Sequence, residues 1–239
     1  MRSLKMPLFL LALISFSACN SSPAGSNPGP TPQDTPLVVI LGSSTAAGVG
    51  ANQLDSAWAY RIQGVVNQNG VKAKFIDLAV AGYTTYQAMP TGNSVANRPA
   101  PDTKANVTKA LSLNPTLVLI SFPGNDIANN YTSTEIMHNY SVITQTLEAA
   151  GVKYIVFGDQ PRDFPSYAQR LREKTMDDSI KAAFTFHVND FFMPLSTSTY
   201  MINPIYSAGD GIHLNDKGQA LIMNATLNQP IFDGVISGK

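Results

Sequence analysis

Short, unbroken apolar runs alternate along this chain with longer segments in which apolar residues recur every three or four positions. Leu37 to Leu41 (LVVIL), bounded by Pro36 and Gly42, has the form of a strand buried on both faces. Lys74 to Val80, Leu117 to Phe122, Tyr154 to Phe157 and Phe184 to Val188 read as four more strands. Between them lie helical spacings. Trp58, Ile62, Val65 and Val66 form the first, with Ser56 as its expected cap. A second is expected from an Asp102 cap to about Leu113, before Pro115. A third begins at Ser133 or Thr134, carries Ile136, Tyr140, Ile143, Leu147 and Ala150, and stops at Gly151. Tyr167 to Ala183 is a fourth, and Asn215 to Leu227 closes the chain. Strand and helix alternating in this way predict an α/β fold, with a mainly parallel, about five-stranded sheet covered by helices on both faces. Ligands of such sheets sit beyond the carboxyl ends of the strands. The loops after Leu41, Val80, Phe122 and Gly158 therefore carry the functional reading.

The amino terminus follows a different pattern. Arg2 and Lys5 precede an apolar stretch from Met6 to Phe16, then Ser17, Ala18 and the lone Cys19. That is the layout of a signal peptide over residues 1–18. Phe16-Ser17-Ala18-Cys19 resembles a bacterial lipobox, which implies lipidation at Cys19 and an extracytoplasmic, membrane-anchored protein. The rival is ordinary secretion with a free cysteine. Residues 19–36 contain five prolines and almost nothing apolar, as befits a flexible tether. The globular part is then 37–239, a single-domain size.

Composition narrows the classes. Of 239 residues, 44% are hydrophobic and 13% charged, enough apolar material for a packed core. Sixteen basic residues balance sixteen acidic ones without a dense basic run, which argues against a nucleic-acid partner. One cysteine cannot form an intramolecular disulfide or a cysteine zinc cluster, and three histidines leave little for a metal site. No metal or organic cofactor is expected.

The loops supply candidate chemistry. Gly42-Ser43-Ser44-Thr45-Ala46-Ala47-Gly48 is a glycine-rich turn, yet it matches neither G-x-G-x-x-G nor a P-loop, and Ala46 spoils a G-x-S-x-G elbow. Its serines have helix capping as an ordinary alternative role. Ala81-Gly82-Tyr83 and Pro123-Gly124-Asn125-Asp126 would each pass singly for plain turns. Asp210-Gly211-Ile212-His213 is more pointed, because Asp and His three apart on a tight turn can bring a carboxylate to Nδ1 of the imidazole. His138 and His187 lack such neighbours and read as structural.

Together, Gly42-Ser43-Ser44, Gly82, Gly124-Asn125-Asp126 and Asp210-Gly211-Ile212-His213 resemble, in order and spacing, the blocks of the SGNH (GDSL-type) hydrolase family. The first block departs from the usual Gly-Asp-Ser, with Ser43 in the middle. The resemblance implies a three-layer α/β/α sandwich of flavodoxin-like type and a serine esterase. It implies Ser44 as nucleophile, His213 as base and Asp210 as its orienting partner. The implied oxyanion donors are the N–H groups of Ser44 and Gly82 and the Asn125 side chain, with Ser44 expected to open a helix. A small-molecule or glycan ester is the implied substrate, with an O-acetyl carbohydrate preferred. A lipase or lysophospholipase acting on longer chains, or a non-catalytic glycan-binding module, is the alternative. Two long loops, Gln87 to Pro101 and Phe192 to Gly209, are candidate pocket walls. The second carries Met193, Tyr200, Met201, Ile205 and Tyr206, suited either to lining a pocket or to packing among themselves. Oligomeric state is not encoded in any of these features.

Overall fold

The first apolar run becomes strand β1 (Leu37–Gly42), buried at all six positions. A strand without a polar face needs cover above and below as well as neighbours on both sides. The computed structural model, which describes residues 35–122 and 124–238, supplies both. The expected signal peptide, Cys19 and the tether up to residue 34 lie outside the described residues. β1 pairs in parallel with β2 (Lys74–Asp77) and with β3 (Leu117–Ser121). β4 (Lys153–Phe157) and β5 (Val188–Asn189) extend the sheet in parallel, giving the order β2-β1-β3-β4-β5.

The helices are α1 (Trp58–Gln68), α2 (Thr85–Ala88), α3 (Val107–Ser112), α4 (Asn125–Ala128), α5 (Ser133–Ala149), α6 (Tyr167–Ala183), α7 (Phe192–Leu195), α8 (Asp216–Leu227) and α9 (Pro230–Ser237). Successive strand side chains point to opposite faces, and the packing divides accordingly. Val39, Leu41, Val118, Ile120 and Val156 meet Ile143 and Leu147 of α5, Val107 of α3 and Ile180 of α6. Val38, Ile40, Leu117, Leu119 and Ile155 meet Trp58 and Ile62 of α1, Ile222 of α8 and Phe232 of α9. The result is the three-layer α/β/α sandwich with a five-stranded parallel sheet.

Several boundaries differ from the sequence reading, each for a local reason. β2 ends at Asp77 instead of Val80, because the Asp77 carboxylate accepts the Ala79 N–H at 2.8 Å. Ser56 belongs to a 3₁₀ turn (Leu54–Ser56), and Ala57 stands at the start of α1 without a side-chain cap. Asp102 does not cap a helix. Its carboxylate accepts the Tyr83 hydroxyl and the Lys104 N–H, while Asn106 caps the shorter α3. Thr132 caps α5 through a capping box with Glu135, one residue before the expected Ser133. Of Phe184 to Val188, only Val188 joins β5; Phe184 ends α6 and Phe186 is exposed. α8 does not close the chain, since Gln229 and Pro230 start α9. Its Phe232 and Val235 are three apart and buried.

Parallel strands put their carboxyl ends on one edge. Gly42 lies beside Ser121 in the register, and the Val80 N–H donates to the Gly42 carbonyl at 3.1 Å. Ser44, Gly82 and Asn125 each follow these positions by a few residues.

Candidate active site

Ser43 and Ser44 have opposite environments. The Ser43 N–H donates to the Ser121 carbonyl at 3.1 Å, which ties the turn to β3. That turns the Ser43 side chain fully into the protein, and its hydroxyl has no hydrogen-bond partner among the described residues. Ser44 is half-buried, and its Oγ lies 2.9 Å from Nε2 of His213, 169 residues away in sequence. The segment 44–50 is a run of turns and not a helix; the first helix waits until Trp58. Ser44 therefore does not open a helix as expected, and no helix dipole acts at its N–H.

The turn bearing His213 is organised by Asp210. Its Oδ1 accepts the N–H groups of Ile212 and His213, each at 2.8 Å, and its Oδ2 faces His213 Nδ1 at 2.6 Å. Burial pushes the Asp210 carboxyl up, but these bonds from His213 and Ile212 outweigh it and hold the group at about 2. A carboxylate ionised at neutral pH can only accept, so Nδ1–H donates to it and Nε2 is left as the acceptor facing the Ser44 hydroxyl. The partners define this tautomer.

The oxyanion candidates stand on the neighbouring loops. Neither the Ser44 nor the Gly82 N–H has a backbone acceptor among the described residues. Gly82 has φ +85, and a Cβ there would meet nothing within 4 Å. Its glycine answers to backbone conformation, and the space in front of it stays open. Asn125 Nδ2 donates to the Tyr83 carbonyl at 2.9 Å, binding its loop to that of Gly82. Arg162 Nη1 donates to Asn125 Oδ1 at 3.2 Å, so the amide is held from both ends with one N–H remaining.

The loop after β4 is the one that the sequence reading placed at the sheet edge without resolving its residues. Arg162 and Gln160 both lie on it and both reach the other site loops. Their residue types carry no motif; their position past a strand end was the available signal. Asp126 stands in the Gly124-Asn125-Asp126 block, where the sequence reading gives it no role; its carboxylate accepts the Thr85 N–H at 3.0 Å and the Thr85 hydroxyl at 2.5 Å. Asn139 Nδ2 donates to that hydroxyl at 2.9 Å, completing a buried clamp between the Gly82 and Asn125 loops.

Burial pushes Asp126 up to about 6, against the lowering effect of its Thr85 bonds. Burial also raises Asp77 and Asp177 to about 6. A raised carboxyl stabilises the native state fully below its ordinary value, and that contribution is lost as pH rises through 6. Glu135 and Asp210, both lowered to about 2, act oppositely and lose their contribution as pH falls toward 2. Thermal stability should therefore fall between about pH 4 and pH 6. Asp126→Asn should remove a share of the fall on the order of 3 kcal/mol. Equal slopes for wild type and variant in a melting series would contradict this.

The candidate wall Gln87 to Pro101 is pinned by Arg98, whose Nε donates to Glu135 at 2.8 Å and whose guanidinium lies 4.5 Å from the Tyr131 ring centre. In the second wall, Ile202 is buried in the core and Tyr206 packs against it, while Met193, Met201 and Ile205 remain exposed. That loop braces the His213 turn: Ala208 N–H donates to the His213 carbonyl at 2.9 Å. His138 is exposed on α5, and His187 stacks on Tyr154 with ring centres 4.4 Å apart, both away from this arrangement. Among the described residues, no group of three or more His, Cys, Asp and Glu is placed to hold a metal ion.

Known proteins share the fold. No curated protein matches the chain. Solved structures do. The psychrotrophic esterase EstA from Pseudoalteromonas sp., inhibited by monoethylphosphonate, is 18% identical with a TM-score of 0.57, covering 81% of this chain and 95% of its own. A GDSL-like lipase from Bacteroides thetaiotaomicron is 18% identical with a TM-score of 0.59, covering 85% and 89%. A two-domain esterase active on acetylated mannans is 18% identical with a TM-score of 0.57, covering 85% of this chain and 50% of its own. At these identities the likeness shows a shared fold. The profile of the GDSL-like lipase/acylhydrolase family matches residues 40–221, from β1 into α8. The chain is a hydrolase that belongs to the GDSL-like lipase/acylhydrolase family.

Proposed function

We propose that this protein hydrolyses carboxylic esters through an acyl-enzyme on Ser44, and that its substrates are O-acetyl esters of carbohydrate. The observation that carries the reading is the 2.9 Å contact of Ser44 Oγ with His213 Nε2, with Asp210 behind the ring. His213 takes the hydroxyl proton as Ser44 attacks the ester carbonyl. The tetrahedral oxyanion accepts hydrogen bonds from the Ser44 and Gly82 N–H groups and the remaining Asn125 N–H. Losing one such donor costs about 10²–10³ in kcat. Collapse of the intermediate expels the alcohol, which receives the proton from His213. Water then repeats the sequence, releasing the acid and restoring the Ser44 hydroxyl.

The acetyl preference draws support from the structural neighbour active on acetylated mannans. Lipidation at Cys19 and an extracytoplasmic location would place the enzyme where such glycans occur. Exposed Met193, Met201 and Ile205, on the loop that braces His213, favour a second reading as an acylhydrolase of longer chains. A series of p-nitrophenyl esters from acetate to laurate decides between them, with acetate release from acetylated mannan assayed in parallel. We expect kcat/KM to be highest for acetate and to fall at least tenfold by octanoate. A maximum at octanoate or beyond, without acetate release from the glycan, would establish the second reading.

A further inference from the structure

Ser44 and His213 are 169 residues apart in sequence, and their contact depends on how two loops are held together. Gln160 sits between those loops, three residues past the end of β4 and 4% exposed. A buried amide must satisfy both its ends. Gln160 Oε1 accepts the Thr45 hydroxyl at 2.8 Å, and Nε2 donates to the Ile212 carbonyl at 2.7 Å. Its own N–H donates to Asp159 Oδ1 at 2.9 Å, which fixes the amide's base. Thr45 directly follows Ser44, and Ile212 directly precedes His213. One side chain thus joins the residues adjoining the proposed nucleophile and the proposed base.

The other hydrogen bonds that tie the segment after Ser44 to the segment after His213 are more remote. Asn52 bonds to Asp216 through exposed groups, and Gln219 reaches the Val49 carbonyl only at 3.4 Å. Neither touches a residue adjacent to Ser44 or His213. From this juxtaposition we infer that Gln160 is a positioning residue for the reaction: through Thr45 and Ile212 it sets the separation of the Ser44 hydroxyl from the His213 ring. The inference rests on the reading of Ser44 and His213 as nucleophile and base. Displacing reacting groups by about 1 Å can cost on the order of 10²-fold in rate.

Thr45 offers the cleaner test, because it is itself buried and its hydroxyl can be removed without changing shape. Thr45→Val deletes the donor to Gln160; Thr45→Ser keeps it. Gln160→Met deletes both arms at similar length. With p-nitrophenyl acetate, Thr45→Val and Gln160→Met should each lower kcat by about 10- to 100-fold, with KM within about threefold of wild type. Thr45→Ser should retain kcat within about threefold. The double variant should lose little more than Gln160→Met alone, since both changes break one connection. Circular dichroism and melting temperature accompany each assay. If Gln160→Met fails to fold, the Thr45 pair decides the matter.

Folded Thr45→Val with wild-type kcat overturns the inference, as does an equal loss in Thr45→Ser. Ser44→Ala assayed alongside separates the two readings. Activity in that variant sinks the nucleophile assignment itself, whereas an inactive Ser44→Ala beside a fully active Thr45→Val sinks only the positioning role.

Discussion

Ser44→Ala should lower kcat toward p-nitrophenyl acetate by about 10⁴-fold or more, with melting temperature within about 2 °C of wild type. The loss is large because the hydroxyl is the bond-forming group, and no nearby hydroxyl can replace it. The fold survives because Ser44 is only half-buried and its bond runs to His213, not into the core. Ser43→Ala provides the matched comparison. Ser43 is 0% exposed and its Oγ has no partner among the described residues, so the substitution removes a buried hydroxyl that none of them satisfies. That change should leave kcat near wild type and stability unchanged or slightly raised. If Ser43→Ala is inactive and Ser44→Ala active, the assignment is reversed.

A second large effect is expected from a residue that performs no chemistry. Gly50 has φ +95, and a Cβ there would lie 2.5 Å from the Leu214 carbonyl oxygen and 2.8 Å from His213 Cβ. Leu214 N would be 3.2 Å away. Two of these three neighbours are backbone, so no rotamer change relieves the contact, and the turn bearing His213 must move. Gly50→Ala should therefore cost about 10²-fold in kcat by misplacing the base. The left-handed conformation adds about 1–2 kcal/mol of destabilisation. Gly82→Ala separates crowding from backbone strain: its φ is +85, but its Cβ would meet nothing within 4 Å. Kinetics and melting curves of both variants test the distinction. Wild-type kcat in Gly50→Ala would show that the two loops do not pack as described.

What the sequence made legible depended on whether the determining partners were local. β1 and β3 were visible because an unbroken apolar run reflects burial on both faces, which both show at every position. The Asp210–His213 pairing was visible because its partners are three residues apart on one turn. Phe184 to Val188 misled because its apolar residues suggest a strand, whereas pairing with β4 is available only to Val188 and Asn189. The Ser44 turn was expected to be helical, but Ser43 is drawn to the Ser121 carbonyl across the sheet. Gln160 was illegible for the same reason: its partners are 115 and 52 residues away and form no pattern with it. Long-range hydrogen bonds leave no periodicity to read.

Among all these, the hydroxyl that forms the covalent bond is the point on which the chemistry turns. It can be identified by treating the protein with a p-nitrophenyl alkylphosphonate ester, which loses p-nitrophenolate as a serine oxygen bonds to phosphorus, and locating the adduct by peptide mass spectrometry. The account predicts about one adduct per chain, on Ser44, formed in step with loss of esterase activity and much slower in His213→Ala. An adduct on Ser43 or any other residue accompanying inactivation, or ester hydrolysis undiminished by complete labelling of Ser44, would contradict it.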